Sequence, residues 1–423
     1  MIGETILQLQ SEICRETLCR LYGEKNLENQ TKRYIKALNA FKAHYGDGEV
    51  QIYSAPGRTE VGGNHTDHQN GKVLAASVNL DAVAVVLPKP GTEIRLFSEG
   101  YGEVVADISN LDANAEEYGT TKALIRGVAS AMQKRGYAIG AFHAYVTSDV
   151  LSGSGLSSSA AFEVLLGNIF SGLYNESKVD AITLAQIGQE AENIHFGKPC
   201  GLLDQMAASV GSLVYVDFFD PKNPVVQPVK MDLQDYGYAL CVVDTKGSHA
   251  DLTDDYAAIP KEMRAVAAAF GKTVLSEVDK KAFYHNIPEL RKKLGDRAVL
   301  RAMHWYAETN RVPVQKKALE DGNFAEFLGL VKASGASSYQ YLQNVYTPRN
   351  VESQSISVAL ALSEDILGSR GVSRVQGGGF AGTIQAYVPE DMVDVYRSGM
   401  EAVFGEGACY ILSIRPVGGV RIL

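Results

Sequence analysis

Two domains of mixed helix and strand, an α+β or α/β architecture, are what this chain predicts, and three observations carry the prediction. Its 423 residues are more than one ordinary core accommodates. Helix-spaced apolar residues alternate with strand-like runs through the first half. Polar, glycine-bearing loops separate those segments, with no internal repeat and no low-complexity tract. A hydrophobic content of 46% with 21% charged residues is typical of a soluble globular protein.

Taken in order, the first thirty residues read as amphipathic helix, with Ile6, Leu9 and Ile13, then Leu18 and Leu21, at helical spacing. A second helix runs through Tyr34, Leu38 and Phe41 and ends near Gly46. Gln51 to Ala55 reads as a short strand, and Val73, Leu74, Val78 and Ala82 to Leu87 as strand before a turn at Pro88, Pro90 and Gly91. Thr121 to Arg135 is helical, stopping at Gly136, and Ala141 to Thr147 is a strand. Helices follow over Ala160 to Tyr174 and Ala181 to Ile194, then strands over Leu213 to Phe218 and Tyr238 to Asp244. The connection Pro221 to Pro228 marks a domain boundary, giving a helical extension (residues 1–30), a first domain (31–222) and a second (223–423). The second half is mostly helical from Pro260 to Leu367, with strands near Ser373 to Gln376 and Thr383 to Val388.

The net charge of −9 argues against a nucleic-acid partner, which wants clustered Lys and Arg. Five scattered cysteines with no Cys-x-x-Cys pair suit reduced thiols in a cytoplasm and give no zinc site. Acids at Glu4 and Glu12 do not fit a signal peptide, and no run approaches the roughly twenty apolar residues a bilayer span needs. A cytoplasmic protein with no membrane partner, monomer or homodimer, is the expectation.

Four clusters carry chemistry. Gly57 to Gly71 packs Arg58, Asn64, His65, Asp67 and His68 among glycines, a pocket for a small polyhydroxylated molecule. Leu151 to Ala161 is a glycine-serine loop between a strand and an apolar helix. Gly153 and Gly155 free successive N–H groups to face one anion, and the helix start adds its positive end. Ser157, Ser158 and Ser159 offer hydroxyls to phosphate or Mg²⁺; a serine run before a helix also serves as a cap. The loop is neither a Walker A sequence nor a Rossmann fingerprint. Glu190 to Gln205 places Glu192 late in a helix and Asp204 in the first turn of another. There Asp204 suits either a helix dipole or the orientation of a hydroxyl nucleophile. His195 reads as a packing residue. Gln376 to Thr383 is a glycine-rich turn, equally suited to ligand binding and to close chain packing.

These clusters, in this order, resemble the GHMP family of small-molecule kinases, and within it the galactokinases. Pro199-Cys200-Gly201 with Asp204-Gln205 is similar to the galactokinase segment carrying the catalytic aspartate. His249 with Tyr256, and Arg301, Ala302, His304, Glu308, Arg311 and Val312, also match. The resemblance covers roughly residues 33–423. It implies a two-domain GHMP fold: an N-terminal α/β domain resembling one found in a ribosomal protein, a C-terminal ferredoxin-like domain, and the active site between them. It also implies transfer of the ATP γ-phosphate to the C1 hydroxyl of galactose, with Asp204 and Arg58 catalytic and Ser159 and Glu192 on Mg²⁺. Gly153, Ser154, Gly155, Leu156, Ser157 and Ser158 would cradle ATP, while Asn64, His65, Asp67, Gly201 and Tyr256 would meet the sugar.

The chain also departs from that pattern. Asn64 stands where galactokinases usually carry Glu, His68 where they carry Tyr, and Ala75 where they carry Pro. Tyr256 leads into Ala257-Ala-Ile-Pro-Lys261 without the usual arginine pair. Asn64 and His68 suggest a related sugar such as galacturonate as the alternative substrate. A non-catalytic sugar- and ATP-binding regulator is the alternative class.

Overall fold

The computed structural model describes residues 1–150, 155–247, 252–380 and 382–423. Twelve strands occur among them: β1 (Gln51–Gly62), β2 (Lys72–Lys89), β3 (Glu93–Ser98), β4 (Gly102–Asp107), β5 (Ala141–Ser148), β6 (Leu213–Asp217), β7 (Val225–Val229), β8 (Tyr238–Asp244), β9 (Val372–Val375), β10 (Thr383–Pro389), β11 (Cys409–Leu412) and β12 (Val420–Arg421). Eight form one sheet in the order β12-β1-β2-β5-β3-β4, with β6 on the near half of β2 and β7 beyond it. The other four form an antiparallel sheet, β11-β8-β10-β9.

The β1–β2 hairpin frames the site. Two register shifts, at Pro56/Arg58 and Glu60/Gly62, let β1 continue beyond Ala55, where the sequence suggested it would end. Gly57 to Gly62 therefore lie in strand, and the turn proper is residues 63–71. β2 changes partners along its length. Ala82 to Lys89 pair with β5 and Lys72 to Ala76 with β6, so one strand links the phosphate-loop side to the Asp204 side.

The helices Thr121–Lys134, Ser158–Tyr174 and Ala181–Glu190 bury one face of the large sheet through Ile125, Val128, Leu165, Ile169 and Ile187. The other face is covered by the helices Ile2–Leu9, Glu12–Tyr22 and Leu27–Tyr45, with Leu18, Leu38 and Phe41 against Val83, Val85 and Tyr145. The small sheet packs on the helices Ser355–Leu367 and Val393–Phe404. A core of Val61, Leu74, Val312, Leu319, Phe327, Leu240 and Tyr387 joins the two sheets through the helices Asp296–Glu320 and Phe324–Ser337.

The helical reading of the second half holds, although its first helix, Thr253–Ala268, begins before Pro260 and carries that proline inside. The expected helix Ala181 to Ile194 becomes α-helix to Glu190 and a π-turn over Ala191–Phe196. β7 occupies the stretch expected to be a connection. Pro228 is tolerated there because β7 is an edge strand.

Candidate active site

Arg58, on β1, and Asp204, in the first turn of the helix Leu203–Val210, meet as a bidentate ion pair. Arg58 Nε donates to Asp204 Oδ1 at 2.6 Å and Nη2 donates to Oδ2 at 2.7 Å. Arg58 Nη1 donates to the Gly155 carbonyl at 2.5 Å, and the Arg58 backbone N–H to the Leu156 carbonyl at 2.9 Å. Cation, carboxylate and phosphate loop are thus one connected unit. Burial works against a charge on Asp204, but the Arg58 guanidinium and a hydrogen bond from Ser157 hold its carboxyl below the ordinary carboxylate value. Asp204 is ionised at neutral pH.

Of the expected ATP cradle, Gly155, Leu156, Ser157 and Ser158 are described, while Gly153 and Ser154 lie outside the described residues, as does His249. Ser157 precedes the helix Ser158–Tyr174 with φ of +59°, and Gly155 has φ of +70°. The first N–H groups of that helix have no intrahelical acceptor and so suit an anion. Ser159 Oγ donates to Glu192 Oε1 at 3.2 Å, Lys198 Nζ to the same oxygen at 3.2 Å, and Gln205 Nε2 to Glu192 Oε2 at 3.0 Å. Gln205 Nε2 also donates to Glu163 Oε2 at 2.9 Å. Burial, then the nearby Glu192 carboxylate, pushes Glu163 well above the ordinary carboxylate value.

On the sugar-loop side, Asp67 accepts the backbone N–H of His68 at 2.9 Å and that of Leu203 at 3.4 Å, which brings it beside the Asp204 turn. Burial, then the Asp204 carboxylate, raises Asp67 to about 6. Gly201 is required by this approach: a Cβ there would lie 1.7 Å from Asp67 Oδ2. His65, at φ of +56°, shares a hydrogen bond between Nε2 and the Gly378 carbonyl at 3.2 Å, and one between Nδ1 and His68 Nε2 at 3.3 Å. A carbonyl only accepts, so the proton of His65 sits on Nε2 and its Nδ1 accepts from His68. His68 Nδ1 is then a buried acceptor, with no hydrogen-bond partner among the described residues. Burial pushes His65 down to about 4 and His68 well below its ordinary value, so both rings are neutral.

Two expected sugar ligands already have protein partners. Tyr256 Oη donates to the Gly379 carbonyl at 2.9 Å. Asn64 is fully buried, donating to Glu60 and the Gly377 carbonyl while accepting from Ser338 and Asn344. The glycine turn is thereby drawn to the sugar loop, and Gly379 permits it: φ is +82° and a Cβ would lie 1.9 Å from the Asn344 carbonyl. Lys198 and Glu163 were not singled out from sequence, and Gln205 was noted only as part of the segment carrying Asp204. Glu163 had a legible signal, as a carboxylate four residues after Ser159 in an otherwise apolar helix.

Comparison with known proteins points to the same segments of the chain. The Galactokinase galactose-binding signature matches residues 39–88, spanning the sugar loop, and the GHMP kinases N terminal domain matches residues 123–212, spanning the phosphate loop and Asp204. A galactokinase from Glaesserella parasuis serovar 5 is 29% identical over 360 residues, covering 84% of this chain and 90% of the relative. The structure of Lactococcus lactis galactokinase complexed with galactose superposes with a TM-score of 0.79 at 24% identity, covering 92% of this chain and 99% of that one. Mevalonate kinase from Methanococcus jannaschii shares the fold more distantly, with a TM-score of 0.58 at 13% identity over 87% and 99% of the two chains. By both signature segments, and by the architecture they sit in, this chain is similar to the GHMP kinases and, among them, to the galactokinases.

Proposed function

We propose that the chain is an ATP-dependent sugar 1-kinase of galactokinase type, transferring the γ-phosphoryl group of ATP to the anomeric hydroxyl of galactose. The observation that carries this reading is the Arg58–Asp204 pair, bonded on one side to the phosphate loop and flanked on the other by Asp67. Asp204, held ionised, accepts a hydrogen bond from the attacking hydroxyl and takes its proton as the new O–P bond forms and the bond to ADP breaks. Arg58 keeps that carboxylate charged and offers its guanidinium to the transferred phosphoryl oxygens. The helix start after Ser157 holds the nucleotide phosphates.

A serine hydroxyl beside a buried carboxylate suits Mg²⁺, which keeps several waters and needs few protein ligands. Ser159 and Glu192 would hold it, and the ion would neutralise phosphate charge. Asp67 and the backbone at Gly201 face the sugar hydroxyls. Asn64 is uncharged, both loop histidines are neutral and Arg58 is already paired with Asp204, so none of these side chains offers a uronate carboxylate a free cation. That favours a neutral hexose over galacturonate.

The test is ADP release with galactose, galacturonate, N-acetylgalactosamine, glucose and arabinose, with product analysis at C1. Galactose-dependent ADP and galactose 1-phosphate are expected. Binding of both sugar and ATP without any ADP would instead indicate a regulator.

A further inference from the structure

We propose that Asn64 is a positioning residue and not a sugar ligand: it locks the sugar loop to the glycine turn at 377–379 through the buried Glu60–Arg374 pair. The inference rests on the kinase reading above and assigns the loop a different division of labour. Asn64 has no exposed surface, and both ends of its amide are used. Nδ2 donates to Glu60 Oε1 at 2.9 Å, to Oε2 at 3.2 Å and to the Gly377 carbonyl at 2.8 Å. Oδ1 accepts from Asn344 Nδ2 at 3.0 Å and Ser338 Oγ at 3.2 Å, and the Asn64 carbonyl accepts from His304 Nε2 at 2.9 Å. With its amide engaged in this way, the side chain is committed to the protein interior.

Glu60 is the other half of the lock. Arg374 Nη2 donates to Glu60 Oε1 at 2.6 Å, and Arg374 Nη1 to the Val61 carbonyl at 3.0 Å, with both side chains buried. Arg374 is the arginine bonded to Glu60, Arg58 and the Glu308 carboxylate act on it from further away, and the residue beside the Glu60 carboxylate has to be a donor. A second carboxylate at position 64 would face Glu60 oxygens and the Gly377 carbonyl, all acceptors. The chain therefore has an internal reason to carry Asn at position 64, independent of which sugar enters.

What the lock holds in place is the surface the sugar meets. The next residue, His65, bonds the Gly378 carbonyl, Asn344 Nδ2 reaches the same carbonyl at 3.2 Å, and Tyr256 bonds the Gly379 carbonyl. Gly377 lies next to Arg58, with Nη2 3.8 Å from where its Cβ would stand. A shift of residue 64 moves His65, the turn and the Arg58 surroundings together. A change here acts alike on every sugar, whereas a direct ligand would change the preference between sugars.

The experiment compares wild type, N64D, E60Q and the exchange variant E60Q/N64D, which keeps one carboxylate and one amide in swapped places. Thermal unfolding is measured with kcat and KM for ATP, galactose and galacturonate well below the melting temperature, and sugar binding is followed by calorimetry. N64D is expected to lower Tm and to lower kcat/KM for each accepted sugar by a similar factor, about ten- to a hundredfold. KM for ATP stays near the wild-type value, and E60Q/N64D recovers part of both losses. Should N64D not fold, N344A carries the same comparison, because it removes only the donor to Asn64 Oδ1 and the Gly378 carbonyl.

A changed galactose-to-galacturonate ratio without recovery in the exchange variant would overturn the proposal and make residue 64 a sugar ligand. A lower Tm with unaltered kinetics and sugar binding would also overturn it, as would wild-type behaviour throughout. If wild type binds sugar but releases no ADP, the kinase reading fails while the binding and unfolding comparisons still decide the role of Asn64.

Discussion

Asp67 and Gly201 give the sugar side its sharpest expectations at the residue scale. Asp67 is raised to about 6 by burial and then by Asp204, so its ionised form is lost as pH falls through that value. The sign for the free protein is the opposite of the sign for binding. A raised carboxyl favours folding below its unfolded value, near 3.8, and that contribution disappears as pH rises through about 6. A sugar hydroxyl that donates to the ionised carboxylate binds only above that range. Sugar KM is therefore expected to rise by about tenfold per pH unit below the Asp67 transition, and D67N should flatten the profile at a weaker affinity. Steady-state kinetics between pH 5 and 8, with the ATP KM as the internal control, tests this. G201A should weaken sugar binding at every pH, because its Cβ would displace Asp67; calorimetric titration with galactose measures it. Most of these groups were legible as residue types in the Gly57 to Gly71 and Glu190 to Gln205 runs. The role of Asn64 was not, because its partners Glu60, Ser338, Asn344 and Gly377 come from distant segments and only the fold brings them to one amide.

At the scale of elements, irregular backbone positions the carboxylate beside the phosphate loop. The π-turn Ala191–Phe196 carries Glu192 at a point where a regular helix would continue, and Gly197 at φ of +77° ends it. Gln205 then ties Glu192 to Glu163 on the helix that begins at the phosphate loop. Q205L removes both hydrogen bonds. It is expected to raise the Mg²⁺ concentration needed for half-maximal nucleotide binding by about ten- to a hundredfold, with galactose affinity little changed, as Mn²⁺ titration by electron paramagnetic resonance and calorimetry report. Helices and inner strands with strong periodicity were readable in sequence, among them Thr121–Lys134 and Ala141–Ser148. β4 was hidden because exposed Val105 is as apolar as its covered neighbours Val104 and Ala106, whereas β3 does alternate, with buried Ile94 and Leu96 between Glu93, Arg95 and Phe97, but over six residues only. β11 and β12, of four and two residues, are too short for any periodicity. β7 was hidden by the prolines and Asn223 around it, which read as a linker.

Across the whole molecule, chain from before and after residue 222 builds the large sheet, with β7 and β12 joining β1 to β6. The N-terminal helices are bound into it by a buried charge centre. Asp81 accepts from Tyr22 and Ser54, from Arg33 Nη1 at 2.7 Å and from Arg415 Nη1 at 2.9 Å. Arg33 also pairs with Asp149 at 3.0 Å, at the exit of β5 towards the phosphate loop. D81N would leave buried Arg415 without a counter-charge and is expected to cost about 3–5 kcal/mol, measured by urea unfolding; Tyr22→Phe, which removes one donor, should cost about 1 kcal/mol. The galactokinase superposition covers 92% of the chain, so the kinase architecture accounts for nearly all of it. The mixed class, α+β or α/β, was legible from alternation and length, whereas the sheet shared by both halves of the chain was not, since pairings between chain ends leave no local pattern.

In the proposed mechanism the Arg58–Asp204 pair, set between the two loops, drives phosphoryl transfer to a hexose hydroxyl. The most direct measurement is single-turnover formation of galactose 1-phosphate by wild type and by D204N, with galactose and ATP affinities determined on the same samples. Wild type should form the product, and D204N should slow that step by about 10²–10⁴-fold while still binding both substrates. Product formation by D204N at the wild-type rate, or none by wild type with both substrates bound, would contradict that mechanism.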